Sequence, residues 1–585
     1  MEIVKLIGGD VLPDDQKLTL EIARVIRLGF LQQNAFHKDD TCVSMEKQFK
    51  MMEVILYLYQ KSRELVARGM PMSVLKAEGI FEKVIAIKYD VPNDNLQLLD
   101  LYRKQIDDFY DSVLEKNASG GGHFMGIEYL GLSSINGPLV ILEGVQDAFF
   151  DEIVEFTVDG KTKKIGRIIE LYEDKAVIQV FEGTENMSLD NTRTKLTGHP
   201  MEVSLASDML GRTFNGIGKP IDGLGPLITD VKRDVNGLPL NPVRRKYPRN
   251  YIRTGISAID GLTTLIRGQK LPIFSGNGLP HDQLAAQIVK QASLGDGSDE
   301  PFAVVFGAMG VKHDVADFFQ KTFEESGVAD HVCMFLNLAN DPVVERLITP
   351  KVALTAAEYL AFDCNMHILV ILTDMTSFAE AMREVSSSKG EIPSRKGYPG
   401  YLYSELATLY ERAGIIEGAE GSVTQLPILT MPNDDITHPI PDLTGYITEG
   451  QIVLDRNLNG QSIYPPISVL PSLSRLMKDG IGEGYTREDH QDLANQLFSA
   501  YAKVGEARNL ASVIGEDELS PIDKKYLEFG KAFEERYIGQ GPEENRSMIE
   551  TLDLGWELLK ILPREELDRI DTKIIDKYLP KEQES

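Results

Sequence analysis

The chain has 585 residues, which is too long for one hydrophobic core and predicts three or four domains. A net charge of −28 and a pI near 4.8 argue against a nucleic-acid-wrapping protein, because neutralising phosphates requires clustered Lys and Arg. The sequence carries no apolar run of membrane-spanning length and no signal-peptide pattern, and its three cysteines are too scattered to predict a zinc site or a disulfide framework. We therefore expect a cytosolic globular protein that reaches a membrane only through partners.

Residues 1–118 are predicted to be helical. Ser44 stands where it can cap a helix, and apolar residues then recur at helical spacing in two stripes. The first stripe is Phe49, Met52, Leu56 and Tyr59, and the second is Leu98, Tyr102, Ile106, Phe109 and Val113. The segment "SGGGHFM" at 119–125 follows, and its glycines predict a linker.

Three further domains are predicted in chain order. Residues 126–200 hold short β-rich runs with turn signals about every 8–12 residues, which is typical of a small β-barrel. In residues 201–478 nearly continuous apolar strands alternate with helices, which predicts a mainly parallel sheet covered on both faces. Residues 479–585 are predicted to form a helical bundle, with a capping box at Thr486 and Asp489 and a helix that begins at Ser520.

A degenerate phosphate-binding loop lies within the α/β domain. A predicted strand at 271–274 runs into Gly276, Asn277 and Gly278 and then into a predicted helix at 282–292, which is the strand, turn and helix order of a phosphate loop. The motif's lysine and hydroxyl positions, however, hold Leu279 and Pro280. Weak phosphate contact through backbone N–H groups is still expected, while an ordinary turn without any relation to ATP remains the alternative.

Long stretches from residue 126 onward resemble the B subunit of archaeal and bacterial A-type or V-type rotary ATPases. These stretches include "EYLGLSSINGPLVILEGV", "TGISAIDGLTTLIRGQKLPIFSGNGLPH", "GYPGYLYSELATLYERAG" and "PPISVLPSLSRLMKDGIGEG". The resemblance implies a β-barrel, a P-loop NTPase-like (RecA-like) α/β domain and a C-terminal helical bundle, preceded here by an extra helical region.

The resemblance also implies a role within a larger machine. B subunits alternate with catalytic A subunits in a three-plus-three ring that touches central rotor and peripheral stalk subunits on the cytoplasmic side of a membrane. ATP or ADP with Mg²⁺ would lie at the shared interface and be bound mainly by A, with no metal site of this chain's own. The complex would couple ATP synthesis or hydrolysis to H⁺ or Na⁺ transport, and the sequence of this chain does not distinguish the ion or the direction.

Four further residues have expected roles, and those of Met309 and Arg475 come from the resemblance. Met309 stands where the catalytic partner has the glutamate that activates water, so this chain is not expected to hydrolyse ATP alone. Arg475, in "PSLSRL", matches the family's arginine finger, which acts in trans on the A-subunit site. Asp374, at a Walker B-like position, is expected to be a strand-end acid or a helix cap rather than a metal ligand, and His367 is expected to be a packing or a surface histidine.

The first 118 residues resemble a different subunit. The phrase "FLQQNAFHKDDT" is similar to the C-terminal helical domain of the catalytic A subunit, and the part of A that carries the phosphate loop is absent. Residues 119–125 can be encoded with a ribosome-binding sequence ahead of a start at Met125, so read-through of an A–B gene junction is one explanation. A deliberate fusion through a glycine-rich tether is the other.

Two functions of other classes compete with a non-catalytic subunit. An autonomous ATPase would require turnover by the isolated chain, and Leu279, Pro280 and Met309 argue against it. A nucleotide sensor would retain ATP without hydrolysing it, through the N–H groups of residues 276–278, although the missing lysine removes a favourable charge.

Overall fold

The computed structural model describes residues 14–67, 70, 72–77, 79–119, 128–145, 148–172, 174–237, 240–295, 297 and 299–579. The chain divides into two compact units, 1–201 and 202–585. Apart from Ser119, the predicted linker at 119–125 lies outside the described residues. In the described part of the chain, none of the helices has the length and apolarity needed to cross a membrane.

The N-terminal region is helical, as predicted. Its α-helices are α1 (Asp14–Val25), α2 (Met45–Ala67), α3 (Met72–Ala77), α4 (Ile80–Asp90) and α5 (Leu98–Ser119), and a π-helical turn spans Ile26–Leu31. Ser44 accepts a hydrogen bond from the N–H of Lys47 at 3.2 Å, so the predicted cap is confirmed.

The two predicted apolar stripes have different environments. Ile106 and Val113 of the second stripe are fully buried in the helical core. Phe49 and Leu56 of the first stripe are 68% and 54% exposed, although they occupy one helix at the predicted spacing. Helical periodicity alone therefore identified the helices but not which stripe the fold covers.

The predicted barrel region is a seven-stranded antiparallel sheet with the order β1-β7-β4-β5-β6-β3-β2. Alternate residues of its strands point inward, as Val154, Phe156 and Val158 show. The strands are β1 (Glu128–Leu130), β2 (Ser134–Asn136), β3 (Leu139–Glu143), β4 (Glu152–Val158), β5 (Thr162–Tyr172), β6 (Lys175–Val180) and β7 (Arg193–Pro200).

A mainly parallel sheet forms the centre of the second unit, with the order β22-β21-β14-β20-β18-β16-β17-β9. β22 runs antiparallel to β21, whereas β14, β20, β18, β16, β17 and β9 pair in parallel. These strands are β9 (Thr213–Asn215), β14 (Ile273–Gly276), β16 (Phe302–Val311), β17 (Val332–Leu338), β18 (His367–Thr373), β20 (Ser422–Met431), β21 (Gly450–Leu454) and β22 (Ile467–Ser474).

Shorter strands lie around this sheet. β19 (Gly414–Ile416) pairs with β20 and with β11 (Arg245–Lys246), and β8 (Glu202–Ser204) pairs with β10 (Lys232–Asp234). A separate three-stranded sheet contains β12 (Tyr251–Arg253), β13 (Leu265–Ile266) and β15 (Ser293–Leu294).

Helices cover both faces of the parallel sheet, as the sequence predicted. On one face the ring of Phe306 packs against Phe319 at 4.5 Å between centroids, and on the other Gly307 faces Ala353. The helices are α6 (Ser257–Asp260), α7 (His281–Gln291), α8 (His313–Glu325), α9 (Val343–Phe362), α10 (Met375–Ser388), α11 (Leu402–Tyr410), α12 (Pro439–Ile447), α13 (Arg456–Gly460) and α14 (Met477–Gly480).

The C-terminal bundle contains α15 (His490–Ile514), α16 (Pro521–Ala532), α17 (Met548–Leu559) and α18 (Thr572–Tyr578). Ser520 caps α16 through the N–H of Asp523, as predicted. The capping box predicted at Thr486 and Asp489 is wrong, because the helix begins at His490. The carboxylate of Asp489 instead accepts hydrogen bonds from Arg487 and from the indole of Trp556.

Candidate functional site

The predicted phosphate-loop segment has the expected strand, turn and helix. β14 ends at Gly276 and α7 begins at His281, so both element boundaries lie within two residues of the predicted ones. Gly278 has a φ of +79°, a backbone conformation that favours glycine. The local glycine pattern was therefore sufficient to locate this turn.

The position of the motif's lysine is part of the protein core. Leu279 is 5% exposed and belongs to the apolar cluster that underlies the sheet, and its N–H donates to the carbonyl of Gly276 at 3.1 Å. The next residue, Pro280, precedes α7 and has no hydroxyl to offer to a metal ion. This loop consequently presents neither the cation nor the metal ligand with which a phosphate loop binds a nucleoside triphosphate and its Mg²⁺.

An internal ion pair lies across the same loop. Arg456 donates from Nε and Nη2 to the two carboxylate oxygens of Asp434 at 2.7 and 2.9 Å, and Nη2 also donates to the carbonyl of Asn277 at 2.9 Å. The carboxylate of Asp434 approaches Gly276 so closely that a Cβ there would lie 2.1 Å from its Oδ1. The geometry does not fit a phosphate against Gly276, because a carboxylate already lies there.

Further carboxyl groups lie near the start of α7. Burial raises the pKa of Asp282 and of Asp374, and the neighbouring acidic groups raise that of Asp282 further. Asp374 accepts from the N–H of Thr376 at 2.8 Å and from the hydroxyl of Thr430 at 2.6 Å. It therefore caps α10, as expected, and no cluster of three or more potential metal ligands occurs among the residues that the structure describes.

The position matched to the catalytic glutamate is also buried. Met309 is fully inaccessible near the end of β16, and the N–H of Gly310 donates to Oδ1 of Asn337 at 3.1 Å. The same oxygen accepts from Nε of Arg346 at 2.9 Å. A thioether cannot take a proton from water, so Met309 does not supply a general base at this position.

His367 is a packing residue, which is one of the two roles predicted for it. It is 6% exposed, and its ring lies 2.8 Å from the hydroxyl of Ser422 and 3.0 Å from a carboxylate oxygen of Glu300. These contacts fix the start of β18 against β20.

Arg475 offers the exposed cation that the loop lacks. Its backbone N–H donates to the carbonyl of Glu449 at 2.8 Å, while its side chain is exposed. Its guanidinium forms no hydrogen bond or ion pair with any residue that the structure describes. An arginine whose backbone is fixed and whose five donors are unused is suited to bind an anion from outside the chain.

Arg475 and the loop lie at opposite ends of the strands of this sheet. Ser474 at the end of β22 pairs with Gly450 at the start of β21, and Glu449 is held against Lys270. The register from Lys270 to Gly276 along β20 is continuous, and six residues of extended chain span roughly 20 Å. Arg475 therefore does not reach the loop of its own chain.

Family models match most of the chain. Residues 255–474 match the nucleotide-binding domain of the ATP synthase alpha/beta family, and residues 132–198 match the β-barrel domain of that family. The C-terminal domain of V and A type ATP synthase matches twice, at residues 1–75 and at residues 479–579. The fold and these matches define the class of protein: a subunit of an ATP synthase that carries the nucleotide-binding domain of the alpha/beta family.

Known proteins narrow this class. The chain is 64% identical over 453 residues to "V-type ATP synthase beta chain 2" of Clostridium tetani, covering 77% of this chain and 98% of that one. It is 59% identical over 451 residues to the V-type ATP synthase beta chain of Thermotoga neapolitana, with 77% and 98% covered. A solved ATP synthase subunit from Nanoarcheaum equitans matches with a TM-score of 0.58 and 40% identity, over 72% of this chain and 98% of that one. The chain belongs to the beta-chain, or B-subunit, family of V-type ATP synthases.

Proposed function

We propose that this chain is the non-catalytic partner in the head of a rotary ATP synthase, where it alternates with catalytic A subunits. Arg475 would complete the nucleotide site of a neighbouring A subunit in trans. Through the assembled complex the chain would support H⁺ or Na⁺ transport coupled to ATP, from the cytoplasmic side of a membrane, with rotor and stalk subunits as further partners.

The separation between Arg475 and the loop at residues 276–278 is the observation that carries this proposal. The two lie at opposite ends of the strands of one sheet, which supports a role for Arg475 at a neighbour's site rather than at its own loop. A ring of alternating subunits brings unlike faces together at each interface, which places one edge of this sheet against the next subunit. In such a ring, the guanidinium of Arg475 would serve the neighbour's nucleotide site, while the Arg456–Asp434 pair occupies the loop of this chain.

The chemistry explains why one arginine is sufficient. Phosphoryl transfer depends mainly on positioning and on neutralising charge at the equatorial oxygens, and an arginine supplied in trans accelerates it by roughly 10³ to 10⁵. The planar guanidinium can donate two parallel hydrogen bonds to the transferring group. Water activation and Mg²⁺ binding would remain with the A subunit, since Met309 and Pro280 supply neither.

The proposal is tested by steady-state ATP hydrolysis in a complex reconstituted from this chain, the matching A subunit and the rotor subunits. Arg475→Ala should lower kcat by about a thousandfold, with the ring intact by native mass spectrometry. Lys478→Ala is the matched control, because Lys478 is also an exposed cation of the same segment and should leave kcat within about twofold of wild type. Normal turnover by the Arg475→Ala complex would contradict the proposal.

The same experiment separates an autonomous ATPase from a non-catalytic subunit. The isolated chain should show no hydrolysis above buffer, because the lysine, hydroxyl and glutamate positions are Leu279, Pro280 and Met309. Turnover by the isolated chain that is abolished by mutations near Gly276 would support the autonomous enzyme instead.

A nucleotide sensor is the second candidate, and a cleft beside α7 favours it. The cleft has a volume of about 840 Å³ and is lined by polar residues including Tyr464, Arg536 and Arg546. Gln287 of α7 accepts from the hydroxyl of Tyr464 at 2.9 Å and donates to the carbonyl of Gly541 at 3.1 Å, so the cleft adjoins the helix that follows the loop. Calorimetric titration of the full chain with ADP tests this role, and a micromolar Kd would favour the sensor.

We further propose that residues 1–118 derive from the C-terminal helical domain of an A subunit. The double match of one domain family at 1–75 and 479–579 supports this origin, as does the 77% coverage by beta-chain relatives. Read-through and fusion are distinguished by the intact mass of the protein from its source cell. A chain that starts at Met125 supports read-through, and a 585-residue species contradicts it.

A further inference from the structure

The segment that carries Arg475 is fastened to the sheet by a buried side chain. Gln269 is completely inaccessible, and its Nε2 donates to the hydroxyl of Ser474 at 2.9 Å and to the carbonyl of Glu449 at 3.2 Å. Its Oε1 accepts from the N–H of Ile266 at 2.9 Å. One amide therefore joins three separate stretches of chain directly behind Arg475.

The contacts with Glu449 and Ser474 lead to the backbone of Arg475. The carbonyl of Glu449 that Gln269 binds also accepts the N–H of Arg475, at 2.8 Å. The hydroxyl of Ser474, the residue before Arg475, donates to the carbonyl of Thr264 at 2.9 Å. Two hydrogen bonds, one on either side of the peptide that precedes Arg475, thus set the direction in which its side chain leaves the sheet.

Glu449 is itself fixed. Its carboxylate accepts from the N–H of Lys270 at 2.9 Å and pairs with the ammonium of that residue at 2.7 Å. At the next position, Gly450, a Cβ would lie 2.1 Å from the carbonyl oxygen of Leu473, so β21 and β22 approach more closely than any other residue permits. The backbone at Arg475 is thus held by hydrogen bonds, whereas its guanidinium makes no bond to the described residues.

We propose that Gln269 is a positioning residue for Arg475: it holds the end of β22 so that the guanidinium is presented to the neighbouring subunit without a conformational search. This inference rests on the proposed trans role of Arg475. A misplacement of about 1 Å at a group that stabilises a transition state can cost about a hundredfold in rate, so a buried amide far from substrate can control turnover. Gln269 would act on kcat and leave substrate binding by the A subunit unchanged.

A double-mutant cycle in the reconstituted complex tests the inference. Gln269→Met should lower kcat by about tenfold to a hundredfold with KM within about twofold, because the unbranched replacement fills the volume but binds neither Glu449 nor Ser474. In the Arg475→Ala background the same substitution should change kcat by less than about twofold, because the guanidinium that Gln269 positions is no longer present. An equal loss in both backgrounds, or no loss in either, would overturn the proposal.

Controls keep the test informative if Gln269→Met is unstable. Gln496 is a matched residue, because it is also a buried glutamine, and its amide binds the backbone of Glu566 and Arg569 within the C-terminal bundle. Gln496→Met should leave kcat unchanged in assembled rings. Ser474→Ala removes only the hydroxyl between Gln269 and β22 and should give a smaller fall in kcat, of about threefold to tenfold, with the same dependence on Arg475. Failure of Arg475→Ala itself to lower kcat would instead refute the proposed function, and the two failures are distinguishable.

Discussion

Two arginines at opposite ends of the strands of one sheet differ in what their guanidinium groups bind. Arg456 lies across the degenerate loop, where it binds Asp434 and the carbonyl of Asn277. Arg475 extends from the end of β22 with an anchored backbone and no bond from its guanidinium to the described residues. The positive charge of Arg456 is therefore neutralised at the loop, whereas the positive charge of Arg475 stays available at the opposite end of the strands. Under the proposed function, Arg456 is a structural residue because its partners are internal, and Arg475 acts on a partner outside the chain.

A third arginine is buried and bonded entirely within the chain, and its replacement should have the largest effect on the free energy of unfolding. Arg412 is 1% exposed and binds both carboxylate oxygens of Glu358 at 2.7 Å, together with Thr355 and the carbonyl of Val235. Arg412→Met should lower the free energy of unfolding by about 3–5 kcal/mol, because it leaves the carboxylate of Glu358 without a partner. Urea denaturation of the full chain measures this loss.

The same variant tests whether stability and turnover are separable. Where Arg412→Met assembles, its complexes should keep a normal kcat, the reverse of Arg475→Ala. A stable Arg412→Met chain, or one whose assembled rings turn over slowly, would remove the distinction between internal and partner-facing arginines.

A buried histidine extends the comparison to an internal group whose charge depends on pH. His490 is fully buried and lies 3.0 Å from both the carbonyl of Gly261 and the hydroxyl of Thr486, and burial lowers its pKa to about 4. The unfolded chain takes up this proton below about pH 6.5 and the folded chain only below about 4, so stability should fall as the pH drops through that window. The loss should reach about 3 kcal/mol.

Denaturation curves at pH 7 and pH 4.5 for wild type and His490→Gln measure this contribution. The glutamine variant retains the acid sensitivity of the neighbouring carboxylates, such as Asp489, and should lose less stability on acidification than wild type does. Parallel losses in the two proteins would show that His490 is not a neutral internal group.

Replacing Arg475 by lysine tests what the exposed edge offers. Arg475→Lys preserves the charge but not the planar fork, so kcat of the reconstituted complex should fall by about a hundredfold, or about 2.7 kcal/mol, and remain above that of Arg475→Ala. Equal rates for lysine and arginine would mean that the position supplies only a diffuse positive potential.

The smallest effect is expected at the loop. Asp434→Asn should release Arg456 and remove a carboxylate from beside Gly276, so ADP should bind the full chain about tenfold more tightly, or by about 1.4 kcal/mol, still without hydrolysis. Calorimetry measures the change. Asp442→Asn is the matched control, because it breaks an exposed pair with Arg395 on another part of the surface. Unchanged affinity in the Asp434 variant would show that the ion pair does not close the loop.

The sequence was sufficient for features that depend on neighbours along the chain. Gly276 and Gly278 located the turn, Leu279 revealed the missing cation, and the apolar strands predicted the parallel sheet. Arg475 was identified through a resemblance, and its exposure was not evident from composition or spacing.

Features that depend on distant contacts could not be predicted in this way. Arg456 and Asp434 meet the loop only because the ends of β20 and β21 fold beside β14. Gln269 has no sequence pattern that sets it apart from other glutamines. The capping box at Thr486 was wrong for the same reason, since the carboxylate of Asp489 is bound by Trp556, which is distant in sequence.

The most direct measurement is a structure of the reconstituted complex with Mg·ADP and fluoroaluminate, which imitates the transferring phosphoryl group. We expect the guanidinium of Arg475 within about 3 Å of the analogue bound by a neighbouring A subunit, with Arg456 and Asp434 still paired across the loop at residues 276–278. An analogue seated in that loop, or an Arg475 side chain turned away from the neighbour's site, would contradict it.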